Sequence, residues 1–200
     1  MTRRMRTLLI VAAWISATLA LTDAARARDR VLRGEVIVDA PVADVWKAWT
    51  TTEGATTFFA PEARIESRVD GAYELYFKPA APAGLRGSEG MRILSFEPEK
   101  RFSYTWNAPP EIPEIRGQRT QVTVELEALS PNRTRVRITH QGWGEGEAWD
   151  RAYAYFDRAW GKIVLPRLVA RFASGPIDWA NPPGLDATAP SLAVELTSAR

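Results

Sequence analysis

Trp149, Tyr153, Phe156, Trp160, Val164, Leu168 and Phe172 recur at steps of three and four along residues 147–172. That spacing puts them on one face of a single long helix. Asp150, Asp157, Arg158, Lys162, Arg167 and Arg171 take the opposite face, so the stripe is amphipathic. A lone helix cannot hide so much ring surface from water. A broad partner has to cover it, and the upstream sequence supplies alternating strands in series. Pro166 cannot donate to the carbonyl of Lys162, so a kink is expected around Gly161 and Pro166. The stripe stays in phase across it, which predicts one helix rather than two.

Residues 31–38 read as a first strand. Asp39-Ala40-Pro41 then opens a short helix, with proline at its first position and Asp44 near the positive end of its dipole. Val42, Val45, Trp46 and Trp49 give that helix a buried side, and residues 51–59 form a second helical turn ending in Phe58-Phe59. Ile65 and Val69 then alternate with charged neighbours, and Asp70-Gly71 signals a hairpin leading into Tyr73, Leu75 and Phe77. Residues 78–88 are a loop. The strand at 90–96, which carries Met91, slips phase between Ile93 and Leu94 and should bulge there. A turn at 97–100 precedes Phe102, Tyr104 and Trp106, all on one face. Residues 107–117 carry three prolines and read as a mobile loop. Val122, Val124, Leu126 and Ala128 point inward, as do Val136, Ile138 and His140 beyond a turn at 130–133. The expected class is α+β: a curved antiparallel sheet of six or seven strands, two short helices after the first strand, and a long closing helix. Clean alternation predicts a sheet with one face wet.

The two ends differ from this pattern. Arg3, Arg4 and Arg6 precede an apolar run broken only by Ser16 and Thr18, and Ala20, Ala24 and Ala27 offer cleavage points. Residues 1–27 are therefore expected to be a secretory signal peptide, with an uncleaved anchor as the alternative. Arg3-Arg4 hints at twin-arginine export, but Arg6 stands where that motif wants a hydrophobic residue, which favours the ordinary secretory route. Residues 28–179 form the expected domain, and residues 180–200, with three prolines and no sustained pattern, a loosely ordered tail. Loss of the leader would remove four arginines and one aspartate, taking the net charge from +2 to −1. A near-neutral domain without a basic block argues against nucleic acid as a partner. Arginine and alanine are plentiful, as in GC-rich bacterial genomes, so export would mean a periplasmic or secreted location without stable membrane insertion. The absence of cysteine excludes disulfides and thiolate chemistry. An exported domain of this kind has to hold itself together by core burial.

Val38-Asp39-Ala40-Pro41 running into Asp44-Val45-Trp46 resembles the opening signature of the SRPBCC superfamily, also called START-like or helix-grip. Glu97-Pro98-Glu99-Lys100-Arg101-Phe102 followed by Tyr104-Thr105-Trp106 resembles its central signature. Val122-Thr123-Val124-Glu125-Leu126 and Thr139-His140-Gln141-Gly142-Trp143 resemble its last two strands. The branch is that of proteins homologous to the C-terminal domain of the heat-shock-protein-90 ATPase activator, and the likeness covers about residues 30–179. The resemblance implies a sheet wrapped around the terminal helix with a hollow between them. It implies binding of lipids, sterols, polyketides or other apolar molecules, with cyclases or hydrolases as a minority. Export would separate the chain from cytosolic ATP and chaperones, which argues against the activator role.

The candidate ligand-binding residues are Phe58, Phe59, Tyr73, Leu75, Phe77, Met91, Tyr104, Trp106, His140, Tyr153, Phe156 and Trp160. Either they fill a core or they line a pocket, and Trp and Tyr bring polar handles that solid cores avoid. Phe58-Phe59 and the loops at 78–88 and 107–117 are placed to gate its mouth. His140 is the only histidine, which rules out a multi-histidine metal site. It is the one candidate general base for a cyclase-like or hydrolase-like enzyme, against the alternative of a hydrogen-bonded residue at a strand end. Gly142-Trp143-Gly144-Glu145-Gly146 fails the dinucleotide-binding spacing and reads as a flexible turn with Trp143 as a lid or plug. No metal or organic cofactor is implied, the expected partner is an apolar small molecule, and monomer or dimer stays open.

Overall fold

The computed structural model describes residues 30–182; the expected leader and residues 183–200 of the expected tail lie outside them. Strands β1 (Leu32–Val38), β4 (Ile93–Glu97), β5 (Arg101–Trp106), β6 (Thr120–Ser130) and β7 (Arg133–Gln141) form one antiparallel sheet in the order β1-β7-β6-β5-β4. Strands β2 (Glu62–Ile65) and β3 (Tyr73–Tyr76) make a separate hairpin. A bridge between Ala72 and Arg92, and the Tyr73 N–H donating to the Met91 carbonyl at 2.9 Å, continue the β4 edge onto that hairpin. Helices α1 (Val42–Thr50) and α2 (Thr52–Ala55) follow β1. The terminal helix runs as α3 (Glu147–Ala159), a π-helical turn at Trp160–Val164, and α4 (Leu165–Ser174). This is the α+β, helix-grip architecture, with a long helix on the inner face of the sheet.

Side-chain periodicity explains which face is inside. Val122, Val124 and Leu126 of β6 and Val136, Ile138 and His140 of β7 are buried, and their neighbours Glu125, Glu127, Arg135 and Arg137 sit at or near the water. At one end of the inner face Trp46 meets Phe96 and Phe102 edge-on, with ring centres 5.0 and 5.6 Å apart. Trp49 meets Phe58 and Phe59 edge-on at 5.0 and 5.3 Å. Each such ring stabilises the fold by about 2–3 kcal/mol through burial, and the edge-to-face geometry adds to this.

Several local expectations need correction. Strand β2 stops at Ile65, and Val69 is 55% exposed. The hairpin that Asp70-Gly71 signals is present as β2–β3, but its turn is wide: the loop folds back through Arg68 N–H to the Glu66 carbonyl, and the Asp70 N–H bonds the Ile93 carbonyl at 2.8 Å. Asp70 holds φ at 62° to do so. The loop borders the edge of β4, so its backbone groups are satisfied partly within the loop, as in Gly71 N–H to the Arg68 carbonyl, and partly across the gap to Ile93. Ala128 is exposed because β6 runs on past the end of the core. Residues 107–117 are anchored rather than mobile, since Ile112 and Ile115 are buried and Pro113–Ile115 forms a 3-10 turn. Pro41 caps α1 from one position ahead of it.

The bulge expected beside Ile93 is present: the β4–β5 register jumps from Ile93 to Ser95 and leaves Leu94 unpaired and 44% exposed. The kink in the terminal helix takes the form of the π turn, in which the Leu165 N–H reaches back five residues to the Trp160 carbonyl. Pro166 follows in the first turn of α4, where a missing N–H is tolerated best.

Candidate functional site

A cavity of about 370 Å³ opens between the terminal helix, the end of the sheet and the two loops that follow β3 and β5. Its floor is aromatic. Phe59 and Trp106 stack at 6.0 Å, Trp160 meets Phe59 at 5.8 Å and Trp106 at 6.1 Å, and Phe156 stacks beside Trp160 at 6.4 Å. All four are buried. Phe77, Leu85 and Tyr155 line the same cavity closer to solvent, at 43%, 45% and 40% exposure. Ala159, Ile163 and Val164 supply the helical wall. Two of these come from the π turn, a helical irregularity that often marks functional surfaces.

The loops are fastened to each other. The Arg116 guanidinium donates to the carbonyls of Gly84 and Gly87 at 2.7 Å each and also to that of Ala108. Lys78 and Glu111 join the same two loops by an ion pair at 2.7 Å, which raises the ammonium pKa and lowers the carboxyl pKa. Glu89 accepts the backbone N–H groups of Gly84 and Arg86 and the Arg86 side chain. Burial pushes the Glu89 carboxyl up, but those donors outweigh it and hold it below the usual range. Gly87 carries the backbone against Leu75, where an added Cβ would meet the Leu75 carbonyl oxygen at 2.0 Å.

His140 lies outside the cavity and is completely buried. Its Nδ1 accepts from the Trp160 indole N–H at 3.1 Å, so its Nε2 carries the proton and donates to Thr120 Oγ1 at 2.7 Å. Thr120 in turn donates to the Trp106 carbonyl at 3.3 Å. Burial drives the imidazole pKa down to about 3, so the ring is neutral. Trp143 closes it off: the rings are 4.2 Å apart, and the Trp143 indole N–H bonds the His140 carbonyl at 3.0 Å. Trp143 is therefore a plug, and the turn carrying it is held rather than flexible. A Cβ on Gly144 would come within 2.3 Å of the Trp149 indole nitrogen, so any larger residue there would have to displace that ring. The general-base candidate is thus a rivet between sheet and helix, sealed from the cavity.

Of the other candidate residues, Phe59, Phe77, Trp106, Phe156 and Trp160 line the cavity. Phe58, Tyr73, Leu75, Met91 and Tyr104 do not; they pack in the solid part of the core. Tyr73 and Tyr104 stack at 4.1 Å, the Tyr73 hydroxyl donates to the Trp49 carbonyl at 3.0 Å, and burial raises both phenols well above their usual value. Tyr153 faces Trp143 and the Arg30 guanidinium at the other end of the helix. The two loops expected at the mouth do line the cavity, through Leu85, Pro109 and Pro110 among others, whereas Ile163 and Arg167 of the helix are not among the expected lining residues. The expectation that Arg167 lies opposite the aromatic stripe is wrong: it follows Trp160 by seven residues, nearly two full turns, and lines the cavity beside it. Among the described residues, no group of three or more His, Asp or Glu side chains is placed to hold a metal, and no helix is long and apolar enough to cross a membrane.

A sheet gripping one long helix, with its hollow at the helix midpoint, defines the class of protein. Within that class the chain belongs to the Activator of Hsp90 ATPase homolog 1-like protein family, whose pattern it matches over residues 39–173. No curated protein sequence matches it. Among solved structures it is similar to protein MLL2253 from Mesorhizobium loti, with 22% identity and a TM-score of 0.54 over 72% of this chain and 93% of that one. It is also similar to the Aha1 dimer from Colwellia psychrerythraea, with 19% identity and a TM-score of 0.53 over 72% and 97% of the two chains. An HSP90 activator from Plasmodium falciparum shares 14% identity with a TM-score of 0.54 over 74% and 97%. At these identities the likeness shows the fold. That fold is compatible with ligand binding and with an activator-like interaction.

Proposed function

We propose that the chain binds a hydrophobic or amphipathic small molecule in the cavity between sheet and terminal helix, after export to the periplasm. The observation that carries this reading is the aromatic floor of Phe59, Trp106, Phe156 and Trp160 left open to a space of about 370 Å³. Pockets for small molecules start at about 300 Å³ and are lined mostly by apolar and aromatic groups. Binding would draw on about 25 cal/mol for each Å² of apolar surface removed from water, less the ordering of loops. The fastening of the two loops by Arg116 and Lys78 lowers that ordering cost. Export rests on the basic and apolar pattern of residues 1–27.

The outer face of the sheet favours this reading over an activator-like docking surface. Glu35, Glu127, Arg135 and Arg137 pair among themselves there at 2.8 to 3.2 Å, which leaves that surface charged and satisfied rather than apolar. His140 offers no catalysis in the cavity, because it does not reach it. Native mass spectrometry of the protein purified from its own host tests the proposal. The expected spectrum carries an apolar small-molecule adduct that organic solvent releases. Protein that runs only at its bare mass, and also fails to take up the hydrophobic dye N-phenyl-1-naphthylamine, would contradict it.

A further inference from the structure

The charges around the cavity are lopsided. Lys78, Arg86, Arg116 and Arg167 line it, against the single carboxylate Glu111. Glu111 is taken by Lys78, and Glu89, just behind, is taken by Arg86 at 2.8 Å and approached by Arg116 at 4.0 Å. Arg116 spends its guanidinium on three backbone carbonyls. Arg167 has neither an ion-pair nor a hydrogen-bond partner among the described residues. It is half-buried, with its guanidinium 5.2 Å from the centre of the Trp179 ring. Burial lowers its pKa, yet a guanidinium stays cationic at neutral pH. The face of Trp179 gives this partly desolvated cation some compensation, but among the described residues no anion meets it at the edge of the apolar space, a place that an anionic ligand group would fill.

Resting on the ligand-binding reading above, we infer that the ligand is an amphipathic anion, its apolar body over the aromatic floor and its anionic oxygen headgroup on Arg167. The planar guanidinium fork suits a carboxylate-type head and gives it direction. Phe156, Trp160, Ile163 and Arg167 follow one another at steps of four, three and four, so a ligand lying along the helix meets rings first and charge last. The cavity volume of about 370 Å³ holds on the order of a dozen groups of water size at about 30 Å³ each, roughly the bulk of a ten-carbon acid.

The test is competition calorimetry on the full chain with decanoate, decanol and decyltrimethylammonium, three chains of one length and different heads. Decanoate is expected to bind about tenfold more tightly than decanol, with the cationic amphiphile weakest. Arg167→Gln is expected to bring decanoate down to the level of decanol. Lys162→Gln, on the exposed side of the π turn, should keep the preference. Equal binding of decanoate and decanol to the wild type, or a preference that survives Arg167→Gln in a folded variant, would overturn the headgroup assignment while leaving the cavity proposal standing. Failure of all three chains to bind would sink both.

Discussion

His140 is the residue whose sequence context promised chemistry and whose surroundings deny it. Three hydrogen-bonded groups and the ring of Trp143 account for both its nitrogens and its carbonyl, so the imidazole joins β7, β6 and the π turn. Phase along β7 was enough to point it inward; the indole donors that consume it come from distant segments, and no local pattern announces them. The pH consequence follows from its titration. Its folded pKa of about 3 lies below the ordinary 6.5, so on acidification the unfolded chain takes up its proton first. Stability from this group is complete above pH 6.5 and is lost as pH falls from there toward about 3. The loss is up to about 1.4 kcal/mol per pH unit. Urea denaturation across the mildly acidic range should show that slope in the wild type and a flatter one in His140→Leu, which is itself destabilised. An NMR titration placing the folded imidazole near 6.5 would contradict the neutral, sealed ring.

Among the elements, the strands were the most legible because period-two alternation records one-sided burial directly, as in Phe102, Tyr104 and Trp106. The bulge at Leu94 was legible for the same reason, as a slip in that alternation. Alternation failed where backbone groups answered to another strand, as when the loop carrying Asp70 bonded Ile93. The prolines of residues 107–117 signalled a break in regular structure, but they say nothing of anchoring. Anchoring comes from Ile112, Ile115 and above all Arg116, a loop residue whose guanidinium gathers three carbonyls from two loops. Arg116→Leu should therefore cost about 2 kcal/mol, because the carbonyls of the buried residues Gly87 and Ala108 lose a charged donor. Hydrogen exchange at the amides of residues 84–88 should quicken, and affinity for apolar ligands should fall as the cavity wall loosens. Unchanged exchange there would show that the loops hold without the clamp. A different failure is expected at Gly87, where the Leu75 carbonyl leaves no room for a Cβ. Gly87→Ala should lower stability by about 1–3 kcal/mol in chemical denaturation through overpacking.

For the molecule as a whole, the sequence made the grip of sheet on helix plain, because the ring stripe had to be covered. It left undecided where rings interlock and where they leave space. The structure divides them: Tyr73, Phe102 and Tyr104 pack against one another, with centres 4.1 to 5.6 Å apart, while Phe59, Trp106 and Trp160 pack together and still present a surface to the cavity. That division depends on the π turn and on two loops closing over the helix, features set by contacts far apart in the chain. The most direct test of a ligand site at that place is a methyl-resolved NMR titration with N-phenyl-1-naphthylamine. The account predicts saturable shifts at Leu85, Ile163 and Val164, which line the cavity, and none at Val69, Leu94 or Leu129, which are exposed elsewhere. Shifts confined to those exposed residues, or none at Ile163 and Val164 when the dye is bound, would contradict it.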